Sequence, residues 1–271
     1  MNDSLSQSAV AGTHSRETVN VRTEGRTVWI TLDRPPLNVM DMATMKLLAR
    51  ALGKMLDSPS GSCDFLVFAG AGTKAFSSGA EVADHTPDRV GSMLAAFHHV
   101  FRQLARADCI TIAAVHGHCL GGGMELATFC DFVIATESAQ FGLPEIKLGC
   151  FPPVAMITLP ELVGPRVAMD LILTGREVSA AEAKTLGLAN RVVPDAALDK
   201  SVRDLIGEFR ALSPAVLKLT GRAMRRRLRE EFENDLSKIE QVYLNQLMKT
   251  EDAREGIRSF MEKRPPSWRG R

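Results

Sequence analysis

The chain has 271 residues, 45% of them hydrophobic and 24% charged, with a formal net charge of +1. That composition builds a sizeable core, excludes a chain too polar to fold, and gives no general affinity for nucleic acid or other polyanions. No apolar run approaches the roughly 20 residues of a membrane span, and the polar, Ser-rich first 18 residues lack the basic-then-apolar plan of a secretory signal.

Residues 1–17 read as a loose tail. Val19 to Leu32 is expected to form a hairpin, because Val28, Ile30 and Leu32 alternate with Trp29 and Thr31 and Glu24-Gly25 supplies a turn. Asp33 to Pro36 breaks the pattern. Asp41 can cap a helix in which Met45, Leu48, Leu52 and Met55 recur at helical spacing. Phe65 to Ala69 is a short strand of the kind buried on both faces. A second helix carries Met93, Phe97, Val100, Phe101 and Leu104. Then come strand Cys109 to Val115, the triple glycine Gly121-Gly122-Gly123, a short helix, and strand Phe132 to Ala135.

Strands and helices alternate from 65 to 165, which argues an α/β class; from 166 onward the chain is mostly helix. Ser179 and Glu182 form a capping box, with Gly187 as the stop. Ser213 reads as a cap before the first-turn Pro214. A composition shift near 195–200 divides a core of 18–197 from a helical C-terminal lobe of 198–271. The five cysteines, Cys63, Cys109, Cys119, Cys130 and Cys150, are odd in number and form no C-x-x-C pair. Free, mostly buried thiols in a reducing, cytoplasmic setting are expected, with no metal site.

Two turns carry the chemistry. Gly121-Gly122-Gly123 follows a buried strand and opens a helix, where amide N–H groups lack partners and can hold an oxygen gaining negative charge. Phe76 to Glu81 makes a second such turn, with Ala80 small enough to let its N–H approach a substrate. Two converging donors make an oxyanion hole, each lowering a barrier by on the order of 3 kcal/mol. Glu125 lies in the first turn of the helix after the glycines. Glu145 follows Pro144 at the start of another turn. Each glutamate also has a plain reading, a negative charge at a helix N-terminus, and the glycine turn has one as a tight connection without a ligand.

Other signals carry less. Gly70, Gly72 and Ala75 mimic a dinucleotide fingerprint, but no helix starts there. His116 and His118 lack a third metal ligand, so strand-end packing is expected of them. His98 and His99 are expected at the surface. Arg222, Arg225, Arg226, Arg227 and Arg229 read as a solvated helix face, with phosphate or RNA contact as the functional alternative.

Together these residues resemble the enoyl-CoA hydratase/isomerase (crotonase) family over about residues 18–271. The resemblance is carried by Thr31 to Pro35, Ala75 to Ala80, Gly117 to Glu125, Ala139 to Glu145, Thr174-Gly175 and the tail from Arg254 to Arg264. It implies a crotonase-like spiral of ββα units with a C-terminal helical trimerisation lobe, assembled as a homotrimer or hexamer. It implies an acyl-CoA thioester as substrate, with the oxyanion amides on Ala80 and Gly122 and the two hydratase carboxylates on Glu125 and Glu145. The adenine end of CoA would lie near Ser77, Ser78, Gly79 and Ala80, helped by Phe260 and Lys263 of a neighbouring subunit. Hydration needs no metal or redox cofactor, since coenzyme A belongs to the substrate.

The chain departs from common hydratases after the second glutamate. The Gly-rich, Thr-Gln segment expected there is replaced by Gly149 to Ile157, with Phe151 and two prolines. Leu143 and Phe151 would make a stiffer, more apolar acyl pocket, similar to the branch that hydrates cyclic dienoyl-CoA thioesters. The rival readings are an enoyl-CoA isomerase of the same fold and an RNA-binding or scaffold protein that keeps the fold.

Overall fold

The computed structural model describes residues 17–58 and 63–271, so all of the expected tail but Glu17 lies outside the described residues. The hairpin forms as expected, β1 (Val19–Glu24) antiparallel to β2 (Thr27–Leu32). Asp41 caps α1 (Met42–Leu56) by accepting from Thr44 N at 2.8 Å, and the helix buries Met45, Leu48 and Leu52. Next come β3 (Phe65–Gly70), β4 (Ala75–Ser77) and α2 (Val90–Arg106), then β5 (Ile110–Val115), β6 (His118–Leu120) and α3 (Gly122–Phe129). After them follow β7 (Phe132–Thr136), β8 (Gln140–Gly142) and α4 (Pro153–Val163). This is one ββα unit repeated, the crotonase-like spiral. Beyond it lie α5 (Pro165–Thr174), β9 (Glu177–Ser179), α6 (Ala180–Leu186) and β10 (Arg191–Val193), then α7 (Leu198–Arg210), α8 (Pro214–Met224), α9 (Arg226–Asn245) and α10 (Glu251–Met261).

Among the described residues the strands form two sheets, in the orders β1-β2-β3-β5-β7-β10 and β4-β6-β8-β9. In the larger, the central strands β3 and β5 are buried on both faces, which explains their unbroken apolar runs. Leu66, Phe68, Ala113 and Val115 point into the main core with α1 and α2. Phe65, Val67, Ile112 and Ala114 point the other way, onto Val202, Leu205 and Ile206 of α7. The smaller sheet sets up the site. Its parallel pairs Ser77↔Cys119 and Leu120↔Gly142 bring the chain ends after β4, β6 and β8 side by side.

The structure corrects three local expectations. His98 is not at the surface: it is 0% exposed, and its Nδ1 meets Glu240 Oε1 of α9 at 2.6 Å. The arginine run is not simply solvated. Arg222 and Arg229 pair with Asp108, and Arg225 with Asp131, all on the core; Arg226 and Arg227 pair with Glu230 and Glu231 along their own helix. The Ser213 side chain makes no cap bond, although Pro214 does open α8. The Ser179 cap forms, its side chain accepting from Glu182 N. Among the described residues no helix is long and apolar enough to cross a membrane, and no three His, Cys, Asp or Glu side chains cluster as a metal ion would require. All five cysteines are free thiols.

Candidate active site

Backbone bonding isolates one amide in the turn after β4. Ser78 N donates to Leu37 O, Gly79 N to Ser77 Oγ and Glu81 N to Met40 O. Met40 N in turn donates to Gly79 O at 2.8 Å. Between them, the Ala80 N–H has no acceptor among the described residues. An unused backbone donor in a largely buried segment asks for a ligand.

The turn after β6 leaves a second one. Gly121 N donates to Gly142 O, and Glu125 N to Gly121 O. Gly121 takes φ +52 and ψ −131, a conformation that L side chains rarely adopt. The chain therefore enters α3 sharply, and Gly122 N, in its first turn, has no acceptor within the helix or among the described residues. The two amides lie close together: a Cβ built on Gly122 would stand 3.5 Å from Ala80 N, and one on Gly79 would stand 2.9 Å from Gly122 N. The ring of Phe97 from α2 backs this pair.

Glu125 sits one turn into α3 and is 2% exposed. Its Oε1 accepts from Val154 N at 2.8 Å and Ala155 N at 2.9 Å, two amides at the start of α4. Pro153, the first residue of α4, has no N–H to offer, so the grip falls on the next two. Burial pushes the Glu125 carboxyl up to about 7, and the two amides pull it back.

Glu145 lies in the short 3-10 turn Pro144–Leu148. Its Oε1 packs against Gly121, where a Cβ would come within 2.8 Å. Its Oε2 is buried without a hydrogen-bond partner. Burial first, then the charge of Glu125, push Glu145 up to about 8. Two carboxyls that feel each other's charge in a buried site favour one shared proton. Glu125, anchored by amides, is the better place for the negative charge; Glu145, without them, is the better place for the proton.

Comparison with known proteins gives the family. The sequence matches the enoyl-CoA hydratase/isomerase family over residues 22–271. The chain belongs to that family. It is a hydratase-type enzyme of the crotonase group. It is 34% identical to a cyclohexa-1,5-dienecarbonyl-CoA hydratase of Thauera aromatica, over 92% of this chain and 95% of that protein. It is 40% identical to a probable enoyl-CoA hydratase of Rhizobium meliloti, over 95% of this chain and all of that protein. The crystal structure of an enoyl-CoA hydratase from Mycobacterium avium subsp. paratuberculosis superposes with a TM-score of 0.83 at 26% identity, covering 93% of this chain and 98% of that one.

The remaining site candidates of this crotonase-family chain are placed as follows. Ser77 is buried, and its hydroxyl is occupied: it donates to Asn38 O at 2.8 Å and accepts from Gly79 N at 3.2 Å. It therefore shapes the Ala80 turn from within. Ser78 is partly exposed beside it. Leu143 is fully buried just before the Glu145 turn. Phe151 is partly buried, its ring edge-on to Tyr243 at 4.9 Å. Phe260 is 53% exposed on α10, and Lys263 is exposed just beyond it. The inner face of α10 supports the Glu145 turn of the same chain, with Gly256 against Leu148 O. Sequence reasoning missed the Val154 and Ala155 amides, the backing role of Phe97, and Tyr243, which the spacing of Phe232, Leu236 and Tyr243 presents only as a helix stripe.

Proposed function

We propose that this enzyme reversibly adds water across the 2,3 double bond of an enoyl-CoA thioester. The observation that carries the reading is the pairing of two unused, neighbouring amides with two buried carboxyls of opposite protonation preference. The thioester oxygen would lie between Ala80 N–H and Gly122 N–H, which stabilise the enolate-like charge that builds there. Water would lie between the acids. Glu125 takes its proton as the oxygen attacks C3, and protonated Glu145 gives a proton to C2. The turn leaves Glu125 protonated and Glu145 ionised, and proton exchange with solvent resets the pair.

The active form needs Glu125 ionised and Glu145 protonated. Rate should therefore rise with pH as Glu125 ionises and fall as Glu145 does. A bell-shaped kcat/KM profile centred in the neutral to mildly alkaline range is expected from steady-state assays. A flat profile across that range argues against the shared-proton pair.

A cyclic dienoyl-CoA is the proposed acyl class. The buried Leu143, the Phe151-Tyr243 contact and the two prolines at 152 and 153 support a stiff, apolar wall, and the Thauera relative carries that substrate in its name. Hydration of cyclohexa-1,5-diene-1-carbonyl-CoA is expected to exceed that of crotonyl-CoA in kcat/KM by about tenfold or more. A large preference for crotonyl-CoA overturns the cyclic assignment. Conversion of a 3-enoyl-CoA to its 2-enoyl isomer without water addition favours the isomerase reading instead.

CoA is proposed to run past the turn at 77–80, with Phe260 and Lys263 at its adenine end. A homotrimer or hexamer is proposed from the apolar side chains left exposed on α5 and α8, Met169, Leu173, Val216, Leu219 and Met224; light scattering after size exclusion measures it. The RNA-binding alternative is less favoured, because Arg225 and Arg229 are largely covered and paired with Asp131 and Asp108.

A further inference from the structure

We propose that Tyr243 is a positioning residue for the acid pair, gripping from α9 the connector at 149–152 that joins the anchor of Glu145 to the anchor of Glu125. This rests on the hydration reading above. Tyr243 is the only tyrosine of the chain and is 1% exposed. It meets the connector through its ring, which lies edge-on to Phe151 at 4.9 Å and 74°, and the neighbouring Cys150 thiol helps hold the phenol above its usual range.

Those two residues stand between the acids. On one side, Cys150 N donates to Glu145 O at 3.0 Å and closes the turn that carries Glu145. On the other, Pro152 and Pro153 lead at once to the Val154 and Ala155 amides that hold Glu125. Two prolines leave few soft torsions in between. A shift at Cys150 or Phe151 is therefore passed to both carboxyls.

The grip comes from a fixed helix. One turn before Tyr243, Glu240 accepts from buried His98 and pairs with Arg102 of α2, which also pairs with Glu233. At its other end, the Phe232 ring packs on Phe129 of α3 at 5.2 Å. The titratable groups whose charge Tyr243 feels are Cys150 from the connector, Glu145 from the 3-10 turn before it and Glu125 from α3. Burial first, then these neighbours, hold the phenol well above its usual range, so it stays a neutral O–H.

Tyr243→Phe keeps the ring and removes only the hydroxyl. In the full-length enzyme, kcat for enoyl-CoA hydration is expected to fall about tenfold with KM changed less than about threefold. The rising limb of the kcat/KM profile should move up, because a loosened connector weakens the Val154 and Ala155 amides that pull Glu125 down. Cys150→Ala should act in the same direction, and the double variant should be no slower than the slower single one. Infrared titration of the buried carboxyl bands reads the same coupling without turnover, and the band midpoints should shift in Tyr243→Phe.

Unchanged kcat, profile and carboxyl midpoints in Tyr243→Phe overturn the proposal. So do kcat losses that simply add in the double variant, or a loss confined to thermal stability, which would make Tyr243 a packing residue only. A wild-type enzyme that hydrates no enoyl-CoA sinks the hydration reading instead, and the infrared midpoints then decide the role of Tyr243 by themselves.

Discussion

Glu125→Gln and Glu145→Gln are each expected to lower kcat for enoyl-CoA hydration by about 10²–10⁴-fold, the usual weight of a positioned acid or base. The substitutions are nearly isosteric, so the fold should survive. In Glu125→Gln the amide oxygen can still accept from Val154 N and Ala155 N, while its nitrogen cannot take a proton from water. In Glu145→Gln no acidic proton remains for C2. The removed charge should also be felt across the site: Glu125 raises Glu145, so Glu125→Gln lets Glu145 fall back toward the ordinary carboxylate range, against the remaining pull of burial.

Stability gives an independent reading of the same pair. Both carboxyls are raised in the folded state above their unfolded value near 4.5. Between that value and their folded values the native state binds more protons than the unfolded one, so this contribution to stability declines as pH rises. Thermal unfolding from pH 5 to 8 should show that decline in the wild type and a weaker one in either Gln variant. Near-normal turnover by both variants, measured as loss of enoyl-thioester absorbance, removes the acid pair from the mechanism. A weakened pH dependence of stability alongside full activity would leave the carboxyls as buried but idle groups.

What the sequence could reveal depended on distance along the chain. The hairpin at 19–32, the Asp41 and Ser179 caps, the buried strand expected at 65–69 and the tight turn at 121 all follow from residues within a few positions of one another, and each formed. The burial of His98 depends on Glu240, 142 positions away, so its neighbourhood on α2 gave no warning. Arg225 looked solvated for the same reason, since Asp131 comes from another part of the chain. Motif residues named Ala80 as a donor, but the reason its amide is spare lies in Met40, which takes up the groups on either side. Burial of both glutamates was legible as chemistry and not as geometry: that α4 would hand two amides to Glu125 and none to Glu145 appears only when 125, 145 and 153–155 meet in space.

Gly122→Ala is expected to cost about 10²–10³-fold in kcat, the loss typical of disabling one oxyanion donor. The space for a methyl group does not exist. A Cβ there would lie 2.7 Å from Phe97 Cζ and 3.1 Å from its Cε2. That ring is 4% exposed and pinned edge-on by Phe101 at 4.9 Å, so it cannot swing into solvent. Either the ring or the start of α3 must shift, and a shift of α3 carries the Gly122 amide and Glu125 with it. Packing and chemistry separate in a second variant. Phe97→Ala removes the obstructing ring, so Phe97→Ala with Gly122→Ala should regain the thermal stability of Phe97→Ala alone. Its kcat should stay at least about tenfold lower, because the new methyl stands 3.5 Å from Ala80 N and crowds the space a bound oxygen needs. Full recovery of rate in the double variant would mean that Gly122 matters only for packing, and the oxyanion would then have to be held by other donors than this pair.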